Sequence, residues 1–325
     1  MFETYFNLKR NPFTITPDPS FLFPTGQHNE ALAALYYGIR WRKGFAVLTG
    51  NVGTGKTLLI RCLLQLLKRD KEVSYAYLFS SRLAPLEFLQ YIALDFGLAA
   101  AGKNKAELVF LLSNYVQTRG VRNLTTVLVV DEAHHLSPES LEEIRLLTNL
   151  ETAQHKLLQI ILVGQPELDT TLDSANLTQL KQRIALRARL RPLTLEETKG
   201  YILRRLQLAG VNSDTHNVFP APTITTVFRQ SRGIPRIINT ICENALVSAY
   251  VRQVKSVSPE MIDEIAQDLR LNVVHDSPID SADGTTMDLR RAFDALLDVC
   301  NSLRKPIGPA QEGDKLRGIN GVHPS

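Results

Sequence analysis

The sequence predicts a three-layer α/β core on a mostly parallel sheet, followed by a small all-helical domain. Three observations carry this. Short apolar runs alternate with helical patterns from residue 45 to residue 163, the rhythm of βα units. The runs are almost continuously apolar, as strands are when both sheet faces are covered. The strand pattern then stops after "RARLRPLT" (187–194), beyond which only helical periodicity remains.

The elements follow in order. Residues 1–27, with "YFNLKRNPFTITPDPSFLFPTG", are rich in aromatics and prolines and predict an ordered but irregular lead-in. Leu32, Leu35, Tyr36 and Ile39 share one face of a helix over 28–43. Strands are expected at 45–49, 73–79, 125–130 and 157–163, and the alternating arginines of 187–191 suit a strand edge. Helices are expected at 56–69, 85–96, 104–118 and 138–150, then at 195–209, 222–230, 235–252 and 258–269. This divides the chain into a core (1–192, lead-in included), a helical lid (193–270) and a polar tail (271–325). The tail reads as largely disordered, with one amphipathic stretch at 287–304 that suits a protein contact better than a membrane anchor.

Composition narrows the function classes. The 325 residues are 44% hydrophobic and 22% charged, which is ordinary for a globular protein. A net charge of +4 is compatible with nucleic acid or anionic lipid but selects neither. Cys62, Cys242 and Cys300 are far apart and match no metal or redox motif, and the seven histidines show no ligand spacing. The amino terminus shows no signal-peptide core, and no apolar run approaches the roughly 20 residues of a membrane span. A cytoplasmic chain is expected, with contact to the inner membrane only through partners.

The strongest motif is "GNVGTGKT", a full match to G-x-x-x-x-G-K-[ST] lying between a predicted strand and a predicted helix. Gly50, Asn51, Val52, Gly53, Thr54 and Gly55 let the backbone curl so that its N–H groups converge on phosphate oxygens. Lys56 is placed to reach the β- and γ-phosphates, Thr57 to ligate Mg²⁺, and Leu58 continues the helix whose positive end completes the cradle. Downstream, "TTVLVVDE" brings Asp131 to a strand end as a second Mg²⁺ ligand and Glu132 as the base that polarises water. ATP and Mg²⁺ are therefore the expected cofactors.

"DEAH" (131–134) also names a group of RNA helicases. Those need a second α/β domain with further motifs, and the second domain here is helical and too small. His134 and His135 are accordingly read as packing or solvent-facing residues. "IILVGQPEL" (160–168) delivers Gln165 beside the site, where an amide can touch the γ-phosphate and the lytic water. Arg183, and after it Arg187, are the candidates for an arginine that completes a neighbouring subunit's site. "SRGIPRIINTICENAL" (231–246) sets Arg236 in the first turn of a lid helix, facing the nucleotide.

Together these residues resemble the AAA+ ATPases. "YFNLKRNPFTITPDPSFLF", "GFAVLTGNVGTGKT", "VVDEAHHLSPESLEEIRLLTNLE", "LLQIILVGQPEL" and "QLKQRIALR" are similar to the general-secretion-pathway protein A type, over about residues 1–270. The resemblance implies a parallel five-stranded core with a helical lid and a homo-oligomer, ring or filament. It also implies ATP-driven work for a secretion or envelope system, with protein partners there. Pro12 and Phe13 are implied as walls of the adenine site. Gln165 stands where many AAA+ proteins have Asn. The best-known members of this type continue into a membrane span and a peptidoglycan-binding module, neither of which this sequence contains. An ATP-dependent DNA-binding regulator of transposition shares much of the layout and is the alternative, although no appended DNA-recognition motif is present. A nucleotide-gated scaffold is a third reading, disfavoured by the intact Glu132.

Overall fold

The structure is a computed structural model and describes residues 1–16, 18–79, 83–210 and 218–271. The expected tail and its amphipathic stretch 287–304 lie outside the described residues.

The core holds five parallel strands: β1 (Phe45–Gly50), β2 (Val73–Leu78), β3 (Thr125–Val130), β4 (Leu158–Gly164) and β5 (Ile184–Leu190). Their spatial order is β2-β3-β4-β1-β5. Burial follows position in that order. Every residue of β1 and β4 is buried, whereas β5, at the sheet edge, alternates half-buried with exposed. That alternation is the arginine pattern read from the sequence. Side chains leave the two faces alternately, so Phe45 and Val47 enter one apolar cluster while Ala46 and Leu48 enter the other.

Helices cover both faces. On one side lie α2 (Gly26–Arg40) and α3 (Lys56–Arg69), following the short α1 (Phe2–Tyr5). On the other lie α4 (Pro85–Asp95), α5 (Lys105–Val121) and α6 (Pro138–Leu147). Their starts have local causes. Asn104 accepts from the Glu107 N–H while the Glu107 carboxylate accepts from the Asn104 N–H, a reciprocal cap. α3 differs: its N-cap is Gly55, left-handed at φ 100°, with no side chain to satisfy the first-turn amides. Those N–H groups stay available for an anion. Two short helices, α7 (Glu167–Leu172) and α8 (Thr178–Lys181), lead from β4 to β5.

The lid comprises α9 (Leu195–Leu208), α10 (Ala221–Ser231), α11 (Pro235–Val251) and α12 (Pro259–Asp268). α9 starts on a second reciprocal cap, Thr194 with Glu197, and α11 and α12 carry Pro235 and Pro259 at their first positions. The sequence reading attaches the lead-in to the core. The structure corrects this: Phe6, Leu8 and Phe13 are buried in the lid's own cluster, with Phe13 edge-on to Phe219 at 5.8 Å. Four short helices leave an apolar face open, and the aromatic lead-in closes it.

The chain entering the lid meets the turn before α11 at one tight point. The Leu193 N–H donates to the Gly233 carbonyl at 2.8 Å. Gly233 has φ +71°, and a Cβ there would lie 2.0 Å from the Leu193 carbonyl oxygen. Gly233→Ala is therefore expected to destabilise the chain by about 1–3 kcal/mol or more. A melting curve of the variant checks this, and an unchanged melting temperature would contradict it.

Candidate nucleotide-binding site

A cavity of about 150 Å³ lies where core and lid face each other, at the carboxyl ends of the strands. Parallel α/β sheets bind their ligands there. Its floor is the loop from Val52 to Leu58, one wall holds Glu132 and Gln165, and the opposite wall comes from the lid through Tyr201, Arg205, Pro235, Arg236 and Asn239.

Gly50 leads into the loop from the end of β1, and Gly53 (φ +81°) and Gly55 (φ +100°) turn it left-handed. A Cβ on Gly53 would lie 2.8 Å from the Arg236 Cβ, so the glycine also lets the lid come close. The Arg236 N–H donates to the Gly53 carbonyl at 3.2 Å, which seats the start of α11 on the loop. Lys56 is buried, and its Nζ donates to the carbonyls of Gly50 at 2.6 Å and Asn51 at 3.0 Å. Two of its three donors are thus engaged. Burial pulls its pKa below the ordinary lysine value, the nearby charges of Glu132, Asp131 and Glu167 oppose that shift, and Arg236 adds to it.

Asp131 is 3% exposed at the end of β3. Its Oδ2 accepts from Thr57 Oγ1 at 3.3 Å and from the Tyr77 hydroxyl at 2.9 Å, and its Oδ1 accepts from the Glu132 N–H at 2.9 Å. Glu132 itself has φ 51° and ψ 36°, left-handed for a residue with a Cβ. Such a conformation costs about 1–3 kcal/mol and concentrates at functional sites. The bond from its N–H to Asp131 helps to hold it.

The structure corrects the reading of His134. It is neither simple packing nor exposed. Its Nε2 lies 2.8 Å from Gln165 Nε2, and its Nδ1 lies 3.5 Å from Glu132 Oε2. The Gln165 backbone N–H donates to Nδ1 at 3.4 Å, so Nδ1 accepts and Nε2 faces the Gln165 side-chain amide. Burial, and then His135 beside it, lower its pKa and keep the ring neutral. His134 thus lies between Glu132 and Gln165, which line the same cavity. His135 is exposed, as expected.

Other expectations fare differently. Pro12 and Phe13 do not line the cavity: Phe13 is fully buried in the lid cluster, and the Pro12 carbonyl accepts from Arg205 at 2.7 Å. Ile15 and Thr16, a few residues on, line it instead. Arg183 and Arg187 are also outside the cavity. Arg183 donates to Thr148 Oγ1 at 2.6 Å and Asn149 Oδ1 at 2.5 Å, at the far end of the sheet from the loop. Arg187 pairs with Asp169 at 2.9 Å.

Sequence reading missed Tyr77, Tyr201, Arg205 and Asn239. Tyr77 is paired in register with Val129, so its proximity to Asp131 needs the strand order, which spacing does not give. Burial next to the Asp131 charge raises its pKa and keeps the phenol a donor. Arg205 is 5% exposed, lies 4.9 Å from the ring centres of both Phe21 and Tyr201, and has a buried Nε with no partner among the described residues.

A family model described as an AAA domain matches residues 39–172. General secretion pathway protein A of Aeromonas hydrophila is 42% identical over 253 residues, which is 78% of this chain and 45% of that protein. The chain belongs to the AAA+ family, as a protein of the general secretion pathway protein A type. It spans less than half the length of that relative. The Mu-like prophage FluMu DNA transposition protein B of Haemophilus influenzae is 30% identical over 127 residues, 39% of this chain and 40% of that one. Among solved structures, the Aeropyrum pernix ORC2 protein in its ADPNP–ADP complexes has a TM-score of 0.59 at 17% identity. The match covers 82% of this chain and 75% of that one, and shows that the AAA+ fold is shared.

Proposed function

We propose that this AAA+ chain binds ATP with Mg²⁺ between core and lid, hydrolyses it, and works as a homo-oligomer, a ring or filament, that powers or assembles a secretion or envelope export system. The observation that carries the ATPase reading is convergence. Lys56 and Thr57 of the phosphate loop, a carboxylate in strained backbone, an amide and a lid arginine border one cavity, and a second, buried carboxylate stands beside Thr57.

The donor set fits Mg²⁺. Thr57 Oγ1 and the Asp131 carboxylate are two hard oxygens 3.3 Å apart, and this ion takes few protein ligands, completing its shell with water and phosphate oxygens. Thr57 and Asp131 would hold it, and when bound it neutralises charge on the phosphates. Lys56 and Arg236 bring positive charge to the transferring phosphoryl group, Glu132 takes a proton from the attacking water, and Gln165 orients that water. Tyr77 holds Asp131 in place. Movement of α11, seated on Gly53, passes the state of the nucleotide to the lid.

The oligomer and its export role rest on the likeness to general secretion pathway protein A. Arg183 stands far from its own cavity, which suits a residue that acts on a neighbouring subunit. Arg183→Ala is expected to lower turnover on the order of a hundredfold or more while sparing ATP affinity. Mixing it with Lys56→Ala chains should restore activity, because each supplies what the other lacks. A mixture no more active than its parts would remove Arg183 from this role.

The second reading, an ATP-dependent DNA-binding regulator, is favoured by the likeness to the transposition protein. Stimulation of turnover by DNA separates the two.

A further inference from the structure

His28 lies outside the cavity yet bears directly on its floor. It occupies the first turn of α2 and is 6% exposed. Its Nε2 is 3.2 Å from the Thr54 carbonyl oxygen, and its Nδ1 is 2.6 Å from Thr25 Oγ1. A carbonyl can only accept, so Nε2 carries the proton. Burial lowers the pKa of the imidazole, against the opposing pull of the Thr54 carbonyl and the Glu197 charge. In the neutral ring Nδ1 accepts from the Thr25 hydroxyl. The same hydroxyl oxygen accepts from the His28 N–H at 3.3 Å, so one threonine both caps the helix and sets the tautomer.

The consequence lies in one peptide plane. The Thr54–Gly55 bond is trans, so its C=O and N–H point in opposite directions. With the carbonyl held by His28, the Gly55 N–H points away from His28, and Gly55 is among the residues that line the cavity. A glycine-rich turn has the freedom to rotate that plane, and rotation would aim the carbonyl at the phosphates instead. We propose that His28 is a positioning residue: it locks the Thr54–Gly55 peptide so that the Gly55 N–H is presented to the phosphates of the nucleotide. This rests on the reading of residues 50–57 as the phosphate site. The neighbouring Gln27 anchors the start of α2 at a second place. Its amide holds both the Arg191 carbonyl, at 3.0 Å, and the Arg191 N–H, at 2.8 Å, tying α2 to the connector that enters the lid.

The test compares His28→Phe, which keeps a ring and removes the donor, with His28→Gln, which restores an N–H donor. ATP and ADP affinities of the full chain are measured by calorimetry beside melting of the nucleotide-free protein. His28→Phe should weaken both nucleotides by about tenfold or more, the loss of one hydrogen bond to a charged group. His28→Gln should recover most of the affinity. Nitrogen-15 spectra of the unaltered chain need no variant: they should show the Nε2–H tautomer, and a Gly55 amide proton that moves downfield on ADP addition. Unchanged affinity in His28→Phe, equal weakness in His28→Gln, or the Nδ1–H tautomer would each overturn the proposal. Failure of the unaltered chain to bind ATP would instead overturn the phosphate-site reading. Binding by the unaltered chain with loss in Lys56→Ala leaves that reading intact while His28 is judged.

Discussion

Glu132→Gln is expected to bind ATP as tightly as the unaltered chain and to turn it over at least about a hundredfold more slowly. The substitution is nearly isosteric, so the left-handed backbone at φ 51° and the bond from the Glu132 N–H to Asp131 should survive. What disappears is the negative charge and with it the ability to take a proton from water. Single-turnover measurements separate chemistry from nucleotide release. Undiminished turnover in this variant would remove Glu132 from the mechanism.

Lys56→Ala has the largest expected effect on binding. The ammonium is buried, with two of its hydrogen bonds on the loop's own carbonyls at Gly50 and Asn51. Removing it takes away a charge-assisted bond to the phosphates and the donor that holds the loop in shape. ATP affinity should fall by about a hundredfold or more, since such bonds contribute about 1.5–3 kcal/mol each and tenfold in affinity is about 1.4 kcal/mol. Calorimetric titration with ATP checks this. Retention of wild-type affinity would mean that the phosphates bind elsewhere.

Much of the fold is legible in the sequence because its signals are local. The helix at Lys56–Arg69 and the strand at Thr125–Val130 are read to the residue, one from its glycine-rich start and the other from its abrupt change to Asp131. The arginines of β5 announce an edge strand because every second side chain meets water. The phosphate loop, Asp131, Glu132, Gln165 and Arg236 come together because each sits at a strand end or a helix start, and a parallel sheet gathers its strand ends on one side. What is not legible depends on pairing distant in sequence. Tyr77 meets Asp131 only because β2 lies beside β3. The lead-in aromatics join the lid across more than two hundred residues, which leaves Ile15 and Thr16, rather than Pro12 and Phe13, at the cavity. His134 is misread because its neighbours in sequence are helix-cap residues, while its partner in space is Gln165.

The measurement that bears most directly on the central claim is ATP turnover of the purified chain against its own concentration, with and without duplex DNA. The expected result is Mg²⁺-dependent hydrolysis whose specific rate climbs steeply with concentration and does not respond to DNA, the behaviour of subunits that complete one another's sites. Absence of hydrolysis at every concentration would contradict the ATPase reading. Strong, salt-sensitive stimulation by DNA would contradict the export reading and establish nucleic acid as the partner.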